Sequence, residues 1–261
     1  MRRTLILPAI ALAVAALSVG MARADQIQVT VQNNQPADGF YFTPVWASFH
    51  DGSFDSFDVG GTASSSIEMV AEGGVLDGII ADFGASGAGQ DNVIFGPAGF
   101  PGAPVFDPGE EASLLFNVDG SSERYFSFLS MVIPSNDAFI GNDDAMAYEI
   151  FDGSGNYTGD RVIQILGNSI WDAGTEANDG LGAPFSANGG TSSDEALLIR
   201  VHPGLDNFIG TNTAAGTTIG SGIGSSEVLA TITIRQIPEP TSAGLLLTGV
   251  IGMVVRRRRS A

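Results

Sequence analysis

Two residue types are missing from this chain: it has no cysteine and no lysine. Without cysteine there is no disulfide, no thiolate metal site and no thiol nucleophile. Without lysine there is no phosphate-loop ammonium and no Schiff base. Histidine is nearly absent too, with two copies, His50 and His202. Positive charge is scarce and displaced to the ends: seven of the eleven arginines are Arg2, Arg3, Arg23 and Arg256 to Arg259. Every Asp and Glu lies between Asp25 and Glu239. That stretch sets 29 carboxylates against four arginines (Arg124, Arg161, Arg200, Arg235), a net charge of −25. Such a body repels phosphate backbones, which argues against any nucleic-acid partner, and it attracts divalent cations.

The two ends read as processing signals. The first 24 residues hold Arg2 and Arg3, an apolar stretch from Leu5 to Val19, and Ala22-Arg23-Ala24. This is the layout of a secretory signal peptide with cleavage after Ala24. The last stretch, 236–261, holds Pro238-Glu239-Pro240, an apolar run from Ala243 to Val255, and four arginines. Thirteen apolar residues at about 1.5 Å each reach about 20 Å, short of a hydrocarbon core of about 30 Å. The arginine block favours the cytoplasmic side. Motif, run and block together resemble the PEP-CTERM sorting signal of Gram-negative bacteria. The resemblance implies an exosortase-type processing enzyme as partner and a transient inner-membrane contact through the C-terminal helix. The implied destination is the envelope surface or the extracellular matrix.

Residues 25–235 read as β structure. In "QIQVTVQN", Ile27, Val29 and Val31 alternate onto one face, as in a half-buried strand. "TPVWASFH", "ASLLFNV", "RYFSFLSMVIP", "AYEIFD", "RVIQIL", "ALLIRVH" and "VLATITIRQI" are further candidates, separated by Gly, Asp, Asn and Ser. One short helix is expected over Ser65 to Glu72, where Ser65 and Glu68 have capping-box spacing. The expectation is one all-β domain, an antiparallel β-sandwich with long Gly-rich loops and one short helix.

Signatures of catalysis are missing. There is no H-E-x-x-H and no G-x-S-x-G. His50 and His202 each sit at a strand end before a glycine, where packing or capping explains them. A Ser-His-Asp triad need not be contiguous, so sequence leaves it open. The chemistry this composition suits is calcium binding, which takes about six to eight hard oxygens on loops. Four stretches are candidates: "DGSFDSFD" (Asp51, Asp55, Asp58), "DGSGNYTGD" (Asp152 to Asp160), "SMVIPSNDAFIGNDD" and "WDAGTEAND". The first reads as a solvated turn. The second reads as a hairpin turn, because it lacks the glycine and closing Glu of an EF-hand loop.

The other two carry a resemblance. With "TPVWASFHDGSFDSFDVG" before them and "HPG" after, "RYFSFLSMVIPSNDAFIGN" and "WDAGTEAND" are similar to the spondin domain, a module of secreted matrix proteins also found in bacterial exported proteins. The resemblance runs from about Ile27 to Ile234. It implies a β-sandwich and a calcium ion held by Asp137, Asp172 and Glu176. Glu176 stands where the animal domain has Asp, and the animal domain's cysteines are absent. Physical reasoning adds that converging carboxylates repel one another unless a cation neutralises them. Asp179 is expected to stand aside. The implied protein is an exported, calcium-binding, non-enzymatic module of the cell surface or matrix. It would mediate adhesion or contact extracellular polysaccharide or surface proteins. The alternative is a secreted hydrolase acting on matrix polymers.

Overall fold

The structure, a computed structural model, describes residues 24–97, 100 and 103–238. The expected signal peptide before Ala24, the tail with Glu239 and Pro240, and its apolar run lie outside the described residues. Among those described, no helix is long and apolar enough to cross a membrane.

Among the described residues, eleven strands form two antiparallel sheets. The smaller has the order β5-β1-β11-β8, with β1 at Asp25–Asn33, β5 at Glu111–Val118, β8 at Arg161–Leu166 and β11 at Val228–Gln236. The larger has the order β10-β9-β7-β6-β3-β4. Its strands are β3 (Val45–His50), β4 (Gly89–Ile94), β6 (Tyr125–Ile133), β7 (Ala138–Gly141), β9 (Trp171–Asp172) and β10 (Arg200–Val201), and β2 (Tyr41–Phe42) pairs with β6. The first and last strands of the domain are neighbours, with Val29 opposite Ile234. The expected all-β antiparallel sandwich is therefore observed.

The two sheets bury their faces differently. On β1, Ile27, Val29 and Val31 point into the core between the sheets and the intervening residues face outward, as period-two alternation requires. On β3 every residue is buried, and on β6 all but Tyr125. The reason is a third layer. Helices α1 (Ser65–Gly73) and α2 (Asp77–Ser86) contribute Ile67, Val70, Ile79 and Phe83 to a second core with Trp46, Leu129 and Phe139 of the large sheet. The spacing Ile67, Val70, Ala71 is one face of a helix. Trp46 is fully buried, meets Phe83 edge-on at 5.4 Å, and donates its Nε1–H to Asp91 Oδ2 at 2.7 Å.

The expected helix is present over Ser65–Gly73, with its cap one residue earlier than expected. Ser64, not Ser65, is the N-cap, accepting from the Ile67 N–H at 3.2 Å, and Gly74 ends the helix in the left-handed region. The second helix departs from the sequence expectation. Its N-terminus has no side-chain cap, and Gly78 and Gly84 interrupt it. Gly78 is there for contact: a Cβ would lie 2.8 Å from Ser66 Oγ of α1. Two expected strands are reduced. "AYEIFD" makes only isolated bridges at Glu149 and Phe151, and "ALLIRVH" keeps only Arg200 and Val201.

Candidate metal centre

The end of the large sheet formed by β7, β9 and β10 gathers the acidic loops. β6 stops at Ile133, and Pro134 to Asp137 turn the chain into β7. Ser135 stabilises that turn: its Oγ donates to the Val132 carbonyl and accepts from the Ala138 N–H at 3.1 Å. Strand β9 then pairs with β7, Ala138 opposite Asp172, and β10 pairs with β9, Arg200 opposite Asp172. Antiparallel register thus places Asp137 and Asp172 side by side, although 35 positions separate them in sequence.

"WDAGTEAND" wraps around Asp137. Asp172 Oδ1 accepts from the Gly174 N–H at 2.8 Å, closing an Asx turn. Gly174 takes φ 69°, and a Cβ there would lie 2.8 Å from the Leu197 carbonyl, so the bend requires glycine. Past the bend, the N–H groups of Thr175 and Glu176 both donate to Asp137 Oδ2, at 2.9 and 3.1 Å. The other oxygen, Asp137 Oδ1, is buried without a hydrogen-bond partner, as is Thr175 Oγ1. Burial, and then the charge of Asp172, push the Asp137 carboxyl up to about 6.

Asp172 is fully buried but not alone. Arg200 grips its Oδ2 through Nε at 3.0 Å and Nη2 at 2.9 Å, and Asn178 Nδ2 donates to the same oxygen at 3.2 Å. His202 extends the chain of bonds. Its Nδ1 accepts from the Gly204 N–H at 3.1 Å, so the proton sits on Nε2, which donates to Asn178 Oδ1 at 2.8 Å. Burial drives His202 down to about 4, so the ring is neutral at physiological pH.

Glu176 is placed differently. Its main chain binds Asp137, whereas its carboxylate accepts from Asn136 Nδ2 at 3.5 Å and faces Glu72, a group that burial pushes up. Asp179 turns away, accepting from the Leu181 N–H at 2.9 Å. Asp51 and Asp152 close their own turns on Ser53 and Ser154. Among the described residues no three His, Asp or Glu side chains converge as a metal-ligand group. Asp137 with Asp172 is the pair that meets. A hard cation fits this pair through Asp137 Oδ1, which makes no hydrogen bond of ordinary geometry although the Asn178 amide lies by the carboxyl, with Thr175 Oγ1, beside Glu72, as a second oxygen. Sequence reasoning overlooked Arg200, Asn178 and Asn136. Arg200 carried a signal: it is one of only four arginines among the body's acids.

His50 repeats the geometry of His202. Its Nδ1 accepts from the Gly52 N–H at 3.1 Å, and Nε2 faces Ser127 Oγ at 2.8 Å. With Nδ1 accepting, Nε2–H donates to the serine and is unable to take its proton. Both residues are buried. The shared signal is H-x-G, a histidine two residues before a positive-φ glycine, Gly52 and Gly204.

The fold is a two-sheet antiparallel sandwich whose acidic loops gather at one end of the large sheet. The chain matches the spondin N-terminal domain family (Spondin_N) over residues 28–197 and belongs to that family, which is non-catalytic and of extracellular type. The match ends before β10 and β11, which complete the two sheets, and so before Arg200 and His202. No curated protein matches the chain.

Proposed function

We propose that this chain is an exported, non-enzymatic module of the cell surface or extracellular matrix, stabilised by calcium bound at Asp137 and Asp172. The observation that carries the metal reading is Asp137 Oδ1, a carboxylate oxygen buried beside a second carboxylate and making no hydrogen bond of ordinary geometry, with the Asn178 amide as the nearby donor. In the metal's absence that oxygen costs free energy or takes a proton. Calcium supplies the missing positive charge and tolerates carbonyl and water oxygens in the rest of its shell. Thr175 Oγ1 lies within the same loop, and Glu176 reaches the ion if its side chain leaves Asn136. Family membership supports the extracellular and non-catalytic parts. The N-terminal and C-terminal signals support export, exosortase-type sorting through Pro238-Glu239-Pro240 and an envelope destination in a Gram-negative bacterium. Adhesion or contact with extracellular polysaccharide or surface proteins is the role such a module serves.

The test is thermal unfolding of the purified protein with and without calcium. Metal at about 100-fold above its Kd adds about 2.7 kcal/mol to a state that binds it. For a domain of this size that raises Tm by about 5–10 °C. Magnesium, which demands tighter octahedral geometry, should give less. An unchanged Tm in millimolar calcium overturns the metal reading.

A further inference from the structure

The outer face of the small sheet stands apart chemically from the rest of the molecule. Its central strands β1 and β11 present Gln28, Thr30 and Gln32 beside Thr231 and Thr233, all partly exposed. Cross-strand register sets them in rows. Thr30 stands between Ser113 and Thr233, and Gln32 between Glu111 and Thr231. Thr30 Oγ1 and Ser113 Oγ lie 2.7 Å apart, so the row is ordered. The flanking strands add exposed Gln164 on β8, opposite Thr231, and Asn117 on β5, opposite Gln26. Charge enters at the two ends of the row, with Glu111 opposite Gln32 and Arg235, near the end of β11, opposite Gln28. Glu111 sits at the start of β5, and Arg235 is paired with Asp160 at 3.3 Å. In a stretch of net charge −25 this is a broad field of amides and hydroxyls without a carboxylate at its centre.

We propose that this face binds a neutral polysaccharide, with Gln28, Thr30, Gln32, Thr231 and Thr233 as its contact row. The proposal rests on reading the chain as a surface or matrix module, and it names the surface through which such a module holds its matrix. Amides and hydroxyls each donate and accept, which matches the hydroxyl-rich face of an uncharged glycan. An anionic polymer is repelled by the surrounding charge, which acts over about 8–10 Å at physiological salt. A second copy is a poor occupant. Four strands about 4.8 Å apart and about eight residues long make a patch of roughly 400–500 Å², short of the ~800 Å² per partner that stable dimers bury. The field also lacks the Trp, Tyr and free Arg anchors of protein interfaces, its exposed apolar residues being Leu115 and Val162 on the edge strands.

The experiment is affinity electrophoresis of the full chain through gels containing hydroxyethylcellulose, dextran or alginate, each normalised to a plain gel. Migration should slow in at least one neutral polymer and not in alginate. The triple substitution Gln28→Glu, Gln32→Glu and Gln164→Glu is nearly isosteric and places three charges on the face. It should reduce the retardation at least fivefold while leaving Tm within a few degrees. Thr231→Ala with Thr233→Ala, which adds no charge, should also weaken it. No slowing in either neutral gel overturns the proposal, as does full retardation of the triple variant. A dimer in light scattering that the same variant disperses would assign the face to a second copy instead and overturn it too. Asp137→Asn separates the two readings. It should abolish the calcium response and keep the glucan retardation, because the loop end and the small sheet are different surfaces. Glucan binding without any calcium response removes the metal reading alone, and calcium response without glucan binding removes this one alone.

Discussion

Arg200 lies directly across the β9–β10 pair from Asp172 and holds one carboxylate oxygen from two nitrogens, at 3.0 and 2.9 Å. Asp172 is fully buried, whereas the Arg200 side chain is half-exposed. The pair is thus a surface cation reaching down to a buried anion. Replacing Arg200 with Met keeps the aliphatic stem and leaves that anion uncompensated. Removal of one partner of a fully buried pair costs about 3–5 kcal/mol, and solvent access to Arg200 reduces this to about 1–3 kcal/mol. Urea unfolding checks it. In saturating calcium the loss should shrink, because the ion supplies the charge that Arg200 no longer does.

Asp137→Asn should change sign with metal. In calcium-free buffer at neutral pH the variant removes a buried charge set beside Asp172 and still offers one oxygen to the N–H groups of Thr175 and Glu176. Its Tm should equal or exceed that of wild type by a few degrees. With calcium the order should reverse, since only wild type gains from the ion. Paired melting curves at both conditions read this directly.

The same carboxyl predicts a pH signature. Its folded value is about 6 against an ordinary 3.8, so the folded state holds the proton more tightly than the unfolded chain. The associated stability is complete below about pH 3.8 and is lost as pH rises through about 6. Between pH 4 and 7, calcium-free wild type should therefore lose on the order of 2 kcal/mol relative to Asp137→Asn. Saturating calcium should invert that trend, because metal and proton compete for one group.

His202 works in the opposite sense. Burial holds it near 4 against an ordinary 6.5, so its contribution is complete above 6.5 and is lost as pH falls through about 4. His202→Gln should be destabilising at pH 7.5, and the gap to wild type should narrow at pH 5 as the wild type gives up its own share. Because Asp137 and His202 pull against each other over one pH window, each is visible only as a difference from its variant.

Gly174→Ala tests the bend itself. The position combines φ 69° with a Cβ contact of 2.8 Å to the Leu197 carbonyl, and neither relaxes without moving backbone. A loss of at least about 2 kcal/mol is expected. Trp46→Ala, in the second core, should cost about 3–5 kcal/mol yet keep the calcium increment in Tm. The contrast distinguishes damage to the loop around Asp137 from general loss of stability.

Sequence alone carried the strands whose signal is local. β1, β5, β8 and β11 face solvent on one side, and alternation follows from that one-sided burial. It also carried the partnership of Asp137 with Asp172, through motif resemblance rather than through charge, since twenty-nine acids make charge uninformative. Helix α2 was not legible because it carries two glycines, of which Gly78 serves contact with α1, and its N-terminus has no cap. Burial of β3 and β6 on both faces likewise depends on those helices.

The fine structure of the loop end belongs to the tertiary fold. Asp137, Asp172 and Arg200 lie far apart in the chain and meet through the register of β7, β9 and β10, a set of backbone pairings that no local pattern encodes. That register decides which carboxylate receives an arginine and which oxygen receives nothing. It also decides that Glu176, five residues from Trp171 in sequence, gives Asp137 its N–H while its own carboxylate points toward Asn136. Sequence determined which acids belong to one loop end; hydrogen-bond geometry in three dimensions decided which of them is left with an oxygen outside the hydrogen-bond network.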